Sequence, residues 1–188
     1  MNSYDFDNTL FHPDSSYAFT MFCARRHPFA AFRALPGAAY YGIRHLLKLS
    51  DTKALKQRVF YFLNFIKDPE KEVRLFWSRR FDGIEDWYLR QKRDDDIIIS
   101  ASPEFLLRPV AEKLNVRLIA TRMDIRTGKI EGKNCHDREK VSRLREEFPG
   151  AEIENFYSDS LSDSPMADIA DKAYLVKDRE LMPWPGKE

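Results

Sequence analysis

The run Asp5-Phe6-Asp7-Asn8-Thr9 places two carboxylates two residues apart. In an extended strand, side chains i and i+2 leave by the same face, so Asp5 and Asp7 are expected close together at a strand end. Carboxylates at that spacing repel unless a cation lies between them or one holds a proton. Oxygen ligation selects a hard divalent cation, Mg²⁺ or Ca²⁺. The pair also suits a division of labour, one carboxylate as nucleophile and the other as acid and base. The plainer alternative is a solvated turn, which Asp and Asn favour.

Further groups of the same kind follow along the chain. Ser100 ends the apolar run IIIS at 97–100. A hydroxyl there, ahead of a helix start, can donate to an anion beside the N–H groups of Ala101 and Ser102. Ser102 itself, before Pro103-Glu104, reads as the N-cap of that helix. In KNCHDREK at 133–140, Asp137 can cap a helix, which puts Lys140 in its first turn. A cation is unfavourable at the positive end of a helix dipole, so Lys140 is read as reaching an anion. Lys133 is a second candidate for that role. Asp159 and Asp163 come directly after a strand pattern at 154–158. Each acidic or hydroxyl group of this set falls at a strand's carboxyl end, where ligands of open α/β sheets bind.

The elements that must position them are legible as periodicity. Short apolar runs predict strands at 3–6, 97–100, 116–120, 154–158 and 173–176. Helices open at Ser102, Asp137 and Ser164-Pro165, and strand–helix alternation from residue 97 onward argues a parallel α/β sheet. MDIRTGKIEG at 123–132 reads as a hairpin turning at Thr127-Gly128. Residues 13–92 read as helix throughout. Leu55, Val59, Phe62 and Ile66 share one helix face, and Phe19, Phe22 and Cys23 share another. Val73, Phe76 and Trp77 follow the start signal Asp68-Pro69-Glu70. The segment 28–49 carries Arg33, Pro36, Gly37, Arg44 and Lys48, which suits two helices broken at Pro36-Gly37 rather than a membrane span. The expected organisation is a core from 1–12 and 93–188 with an all-helical cap at 13–92. From residue 25 to 67 the cap holds Arg25, Arg26, Arg33, Arg44, Lys48, Lys53, Lys56, Arg58 and Lys67 against the single acid Asp51.

Composition limits the alternatives. The chain has 188 residues, 43% hydrophobic and 32% charged, enough apolar surface for one core with an insertion. Lys plus Arg number 31 and Asp plus Glu 30, so no global basic excess points to nucleic acid. Cys23 and Cys135 form no disulfide framework and no CxxC pair, and fit a reducing compartment. No secretory signal opens the chain. A cytoplasmic location is expected, no transmembrane segment is expected, and peripheral membrane contact is not favoured. His12, His27, His45 and His136 show no metal-binding spacing.

The ordered set DFDNTL (5–10), IIISASPEFL (97–106), EGKNCHDREKVSRL (131–144) and YSDSLSDSPMA (157–167) resembles the haloacid dehalogenase superfamily. The similarity is to its phosphoserine-phosphatase-like subgroup, which carries a helical cap after the first motif. The resemblance implies an α/β fold, a Rossmann-like parallel sheet core with that inserted cap. It implies a Mg²⁺-dependent phosphomonoester hydrolase acting on a small phosphorylated metabolite or head group. Asp5 matches the nucleophile that becomes an aspartyl-phosphate. Asp7 matches the acid/base, whose backbone carbonyl also binds metal in the family. Ser100 and Thr9 match phosphate-site residues, Thr9 also supporting the loop, and Lys140 steadies the phosphoryl charge. Asp159 matches the remaining metal carboxylate, with Asp163 beside it. Asn8 and Ser158 stand where relatives commonly have Gly. Asp14 stands where relatives acting on phosphoserine carry a Glu that reads the substrate amine.

Dehalogenating relatives lack the second aspartate, so Asp7 argues for an oxygen leaving group. Two other functions share these motifs or the basic cap. One is a phosphotransferase or phosphomutase. The other is a non-catalytic module that binds phosphate or a lipid surface, against which the intact Asp5, Asp7, Lys140 and Asp159 argue.

Overall fold

The computed structural model describes residues 1–49 and 51–187. Six strands form one sheet: β1 Asn2–Tyr4, β2 Ile97–Pro103, β3 Arg117–Thr121, β4 Ile153–Ser158, β5 Ala170–Lys177 and β6 Glu180–Pro183. Their order is β3-β2-β1-β4-β5-β6, parallel except for the last pair. The fold is therefore the expected α/β class, with β1 at the centre. The chain runs from β1 to one side and later returns to the other, which makes a topological switch point at its carboxyl end.

Alternation along the strands divides the core between two faces. Ile97, Ile99 and Phe156 pack on one face with Leu144, Met166 and Trp184. Tyr4, Ile98 and Tyr157 pack on the other. Tyr4 opposes Tyr157 and Tyr157 opposes Tyr174 in register, and the rings stack at 4.7 and 5.0 Å between centroids. Helices α6 (Glu104–Leu114), α7 (Arg138–Glu147) and α8 (Ser164–Ile169) connect the later strands.

Between β1 and β2 lie α1 (Ser15–Arg26), α2 (Pro28–Leu46), α3 (Thr52–Val59), α4 (Pro69–Arg80) and α5 (Asp86–Gln91). Asp14, Asp51 and Asp68 cap α1, α3 and α4, each accepting a backbone N–H at 2.6–2.9 Å. Phe19, Phe62 and Phe76 join the same apolar cluster as Tyr4 and Ile98. The Trp77 indole N–H donates to the Leu106 carbonyl at 2.6 Å. These helices thus share a continuous core with one sheet face.

Several local expectations need correction. The first strand stops at Tyr4, because the Phe6 carbonyl accepts the N–H groups of Thr9, Leu10 and Phe11 in a tight turn. Pro36 does not break α2, which runs on to Leu46. One missing N–H removes one helical bond, and Arg58 over Tyr41 at 5.5 Å helps hold the later turns. Ser102 does not cap α6. It lies within β2, and Pro103 is the cap residue without a side-chain bond. Asp137 precedes α7 but makes no side-chain cap. Strand β6 lacks any sequence signal, being short, exposed and ended by proline.

The hairpin after β3 closes through one bridge, Met123 to Ile130. It lies on the helical segment. The Ile130 N–H donates to Gln57 Oε1 at 2.8 Å and Asn64 donates to the Thr127 carbonyl at 3.0 Å. Gly128 sits at φ +68° and a Cβ there would meet the Phe60 carbonyl oxygen at 2.7 Å. Gly150 shares the positive φ but faces open space. Gly128→Ala is therefore expected to cost about 2–3 kcal/mol and Gly150→Ala about 1 kcal/mol. Urea midpoints of the two variants check this; equal losses would mean the hairpin does not press on Phe60.

Candidate active site

The carboxyl ends of β1, β2 and β4 open into a cavity of about 220 Å³. Asp5, Asp7, Asp14, Ser100, Lys140, Asp159 and Asp163 all line it, together with Lys56, Ser102 and His136. The turn after β1 aims the first two. Asn8 takes φ +55°, a left-handed conformation that Asn tolerates best after Gly.

Asp5 and Asp7 have separate partners. Lys140, only 1% exposed, donates from Nζ to Asp5 Oδ1 and to Asp163 Oδ2, both at 2.7 Å. Burial works against the Lys140 charge, but the two carboxylates outweigh it and hold the ammonium above its ordinary range. Burial pushes Asp5 up and Lys140 opposes this. The Ser158 hydroxyl donates to Asp163 Oδ2 at 2.7 Å. Asp7 accepts the Ser15 N–H at 2.6 Å through Oδ1 and the Ser102 hydroxyl through Oδ2. Burial, then Asp14, push the Asp7 carboxyl up to about 7. Besides the expected Asp5–Asp7 spacing, Asp14 acts on Asp7 and Asp163 acts on Asp5 as like charges.

The remaining expected residues fall as follows. Ser100 is buried, and its Oγ accepts the Ser102 N–H at 3.0 Å while keeping its own proton. Thr9 stands behind the cavity rather than lining it, and its Oγ1 accepts the Asp159 N–H at 3.0 Å. Its place suits holding the β4 loop, not touching a phosphate. Asp14 lines the cavity while its Oδ1 caps α1. Lys133 is exposed, pairs with Glu139 at 3.4 Å and stays outside the cavity. Cys135 is buried, and burial pushes its thiol up to about 11, so it is no nucleophile at neutral pH.

Sequence reasoning missed two residues. Ser102 shares a strand face with Ser100, and period two was the available signal. Lys56 carried none. It reaches from α3 across the cavity mouth, donating to the Ala101 carbonyl at 2.7 Å and Asn134 Oδ1 at 3.0 Å. Burial lowers its ammonium against the pull of Asp7 and Asp14.

The donor chemistry suits a hard cation. Burial, then Asp5, push the Asp159 carboxyl up to about 6, and it has no ion-pair partner among the described residues. Among the described residues no three His, Cys, Asp or Glu side chains form a ready metal cage. Mg²⁺ does not need one, because it binds through one or two carboxylates and keeps several waters.

A model of the haloacid dehalogenase-like hydrolases matches residues 3–168. The chain belongs to this family. Protein CicA of Caulobacter vibrioides is 35% identical over 191 residues, spanning 93% of this chain and 85% of CicA. A protein of unknown function from Bordetella pertussis Tohama I superposes with a TM-score of 0.76 at 23% identity, over 99% of this chain and 91% of that one. A phosphoserine phosphatase in a phospho-aspartyl intermediate analogue form superposes at 0.56 with 15% identity, over 91% of this chain and 83% of that one. The structural likenesses establish a phosphoserine-phosphatase-like fold.

The raised carboxyls predict how stability varies with pH. Asp159 and Asp7 titrate near 6 and 7 in the folded chain against 3.8 for an ordinary Asp. The folded state then binds more protons, and stability falls as pH rises from about 4 to about 7. Asp159→Asn removes one share of this loss. In EDTA its thermal midpoint is expected to gain on wild type as pH rises through 6, and added Mg²⁺ at pH 7.5 is expected to raise wild type only. Differential scanning fluorimetry across pH reads both; a constant gap between the two proteins would refute the Asp159 shift.

Proposed function

We propose that this hydrolase cleaves phosphate monoesters of small metabolites or head groups through an aspartyl-phosphate on Asp5. The observation that carries the reading is two carboxyl groups with different partners, Asp5 and Asp7, opening into one cavity. Asp5 stands beside Lys140, and Asp7 is pushed up to about 7, where it can hold a proton near neutral pH. Asp5 attacks phosphorus and the bond from phosphorus to the ester oxygen breaks. Asp7 gives its proton to the leaving alkoxide. Water then attacks the aspartyl-phosphate, Asp7 recovers a proton from it, and inorganic phosphate leaves with Asp5 restored. The Ser100 hydroxyl and Lys140 hold the non-bridging oxygens. Asp5 and Asp159, with the Asp7 carbonyl, would hold Mg²⁺, which supplies positive charge to the transferring phosphoryl group.

The helices between β1 and β2 serve in this reading as the cap. Lys56 and Asp14 bring one cation and one anion from that side of the cavity, and so read the alcohol half of the substrate. The Asp14 carboxyl disfavours a leaving group with a second anion next to it. Two buried, unbridged cysteines support a reducing, cytoplasmic setting.

Asp5→Asn is expected to lower phosphate release from a panel of phosphate monoesters with Mg²⁺ by at least about a thousandfold, ~4 kcal/mol of barrier. Retention of more than about a tenth of wild-type turnover would remove Asp5 as nucleophile. Lys56→Gln is expected to raise KM about tenfold with kcat changed less than about threefold, as for a group that binds substrate and transition state alike. Steady-state kinetics decide this, and a loss confined to kcat would place Lys56 among the reacting groups.

A further inference from the structure

Helix α2 exposes an unbroken apolar face. Phe29, Phe32, Leu35, Tyr40, Ile43 and Leu46 are each between 56% and 83% exposed. Their spacing of three, three, five, three and three residues keeps them on one side of the helix. Pro36 and Ala39 fall within the same arc, so no polar residue interrupts it over a helix about 28 Å long. The opposite side is fixed to the protein by the buried Ala30 and Ala34. Isolated exposed apolar residues are ordinary, but a contiguous stripe of this length marks an interaction surface.

The charges beside the stripe have one sign. Helix α2 holds no Asp or Glu. Arg33 lies along its edge, the guanidinium 5.6 Å from the Phe29 ring centroid and 4.7 Å from that of Phe65. Arg44 follows on the same edge, donating to the Tyr40 hydroxyl at 3.1 Å, and Lys48 is exposed just beyond the helix. An apolar groove of about 450 Å³ opens next to the stripe between α1 and α2, floored by Phe62.

We propose that the α2 face docks on an anionic lipid bilayer, lying in the interface with Phe32, Ile43 and Leu46 inserted and Arg33, Arg44 and Lys48 at the level of the head groups. An amphipathic helix with aromatic and aliphatic residues on one face and flanking cations has the chemistry of such a surface. A span across the bilayer is not needed, and no helix among the described residues is long and apolar enough for one. A second copy of the chain fits less well. Face-to-face pairing would bring Arg33 and Arg44 of both copies together with no acid on α2 to compensate. The sequence alone did not favour membrane contact, because periodicity in α2 does not say which side the rest of the protein covers.

The test is co-sedimentation of the full chain with vesicles of phosphatidylcholine alone or with about 30% phosphatidylglycerol. The chain is expected to pellet with the anionic vesicles, to bind the neutral ones at least about tenfold less, and to dissociate progressively with added salt. Phe32→Ser, Ile43→Ser and Leu46→Ser combined are expected to lose binding about tenfold or more with an unchanged thermal midpoint, since all three side chains are exposed. Arg33→Gln with Arg44→Gln is expected to weaken binding to anionic vesicles specifically, and serves if the triple variant misfolds. Absence of wild-type binding to anionic vesicles overturns the proposal. So does a dimer, seen by light scattering, that the triple variant dissolves while vesicle binding persists. Vesicle binding is read without substrate, so its outcome is independent of whether Asp5 is a nucleophile.

Discussion

The site depends on one buried ammonium. Lys140 Nζ lies 2.7 Å from both Asp5 and Asp163, with almost no access to water. A lone charge there would be prohibitive, and two carboxylates without it would repel. Losing one partner of such a group typically costs about 3–5 kcal/mol, because it strands the others. The three residues come from the loop after β1, the turn before α8 and the first turn of α7. Their mutual satisfaction brings three distant parts of the chain to one point. An ammonium carries three donors and two are used here, which leaves one for an incoming oxyanion.

Around that centre, small hydroxyl groups set the finer geometry. Ser158 steadies Asp163, Thr9 holds the Asp159 backbone, and Ser102 fixes one oxygen of Asp7. None is charged, so two orient a carboxylate and one a backbone without adding to the electrostatic imbalance of a crowded acidic cavity. The arrangement leaves Asp5 and Asp7 in unlike surroundings although only Phe6 separates them. Asp5 is ion-paired to Lys140, and Asp7 is held by the Ser15 N–H and the Ser102 hydroxyl with Asp14 nearby.

Much of this was legible in the sequence because strand ends and motif order are local properties. The apolar run at 97–100, the carboxylates after 4 and after 158, and a lysine set against a helix dipole each announce themselves within a few residues. What stayed hidden depends on distance. Lys56 resembles any exposed lysine until α3 folds over β2. Ser102 carries the local marks of a helix cap, and only Asp7, 95 residues away in the chain, shows otherwise. Pro36 looks like a break because local propensity cannot register the packing that carries α2 past it. Strand β6 has no signal of its own and forms by pairing with the already placed β5.

The central place of β1 has a consequence for how the protein is made. Asn2 pairs with Asn155, so the middle strand leaves the ribosome about 150 residues before one of its two neighbours. At 5–20 residues per second, that interval lasts roughly 8–30 s. During it the helices that follow β1 can assemble locally, while the strand that leads into the first two aspartates waits unpaired on one edge. The acidic loop therefore gains its shape only after β4 has emerged. A nascent chain carries no assembled cavity at the carboxyl ends of β1, β2 and β4 until translation has passed β4.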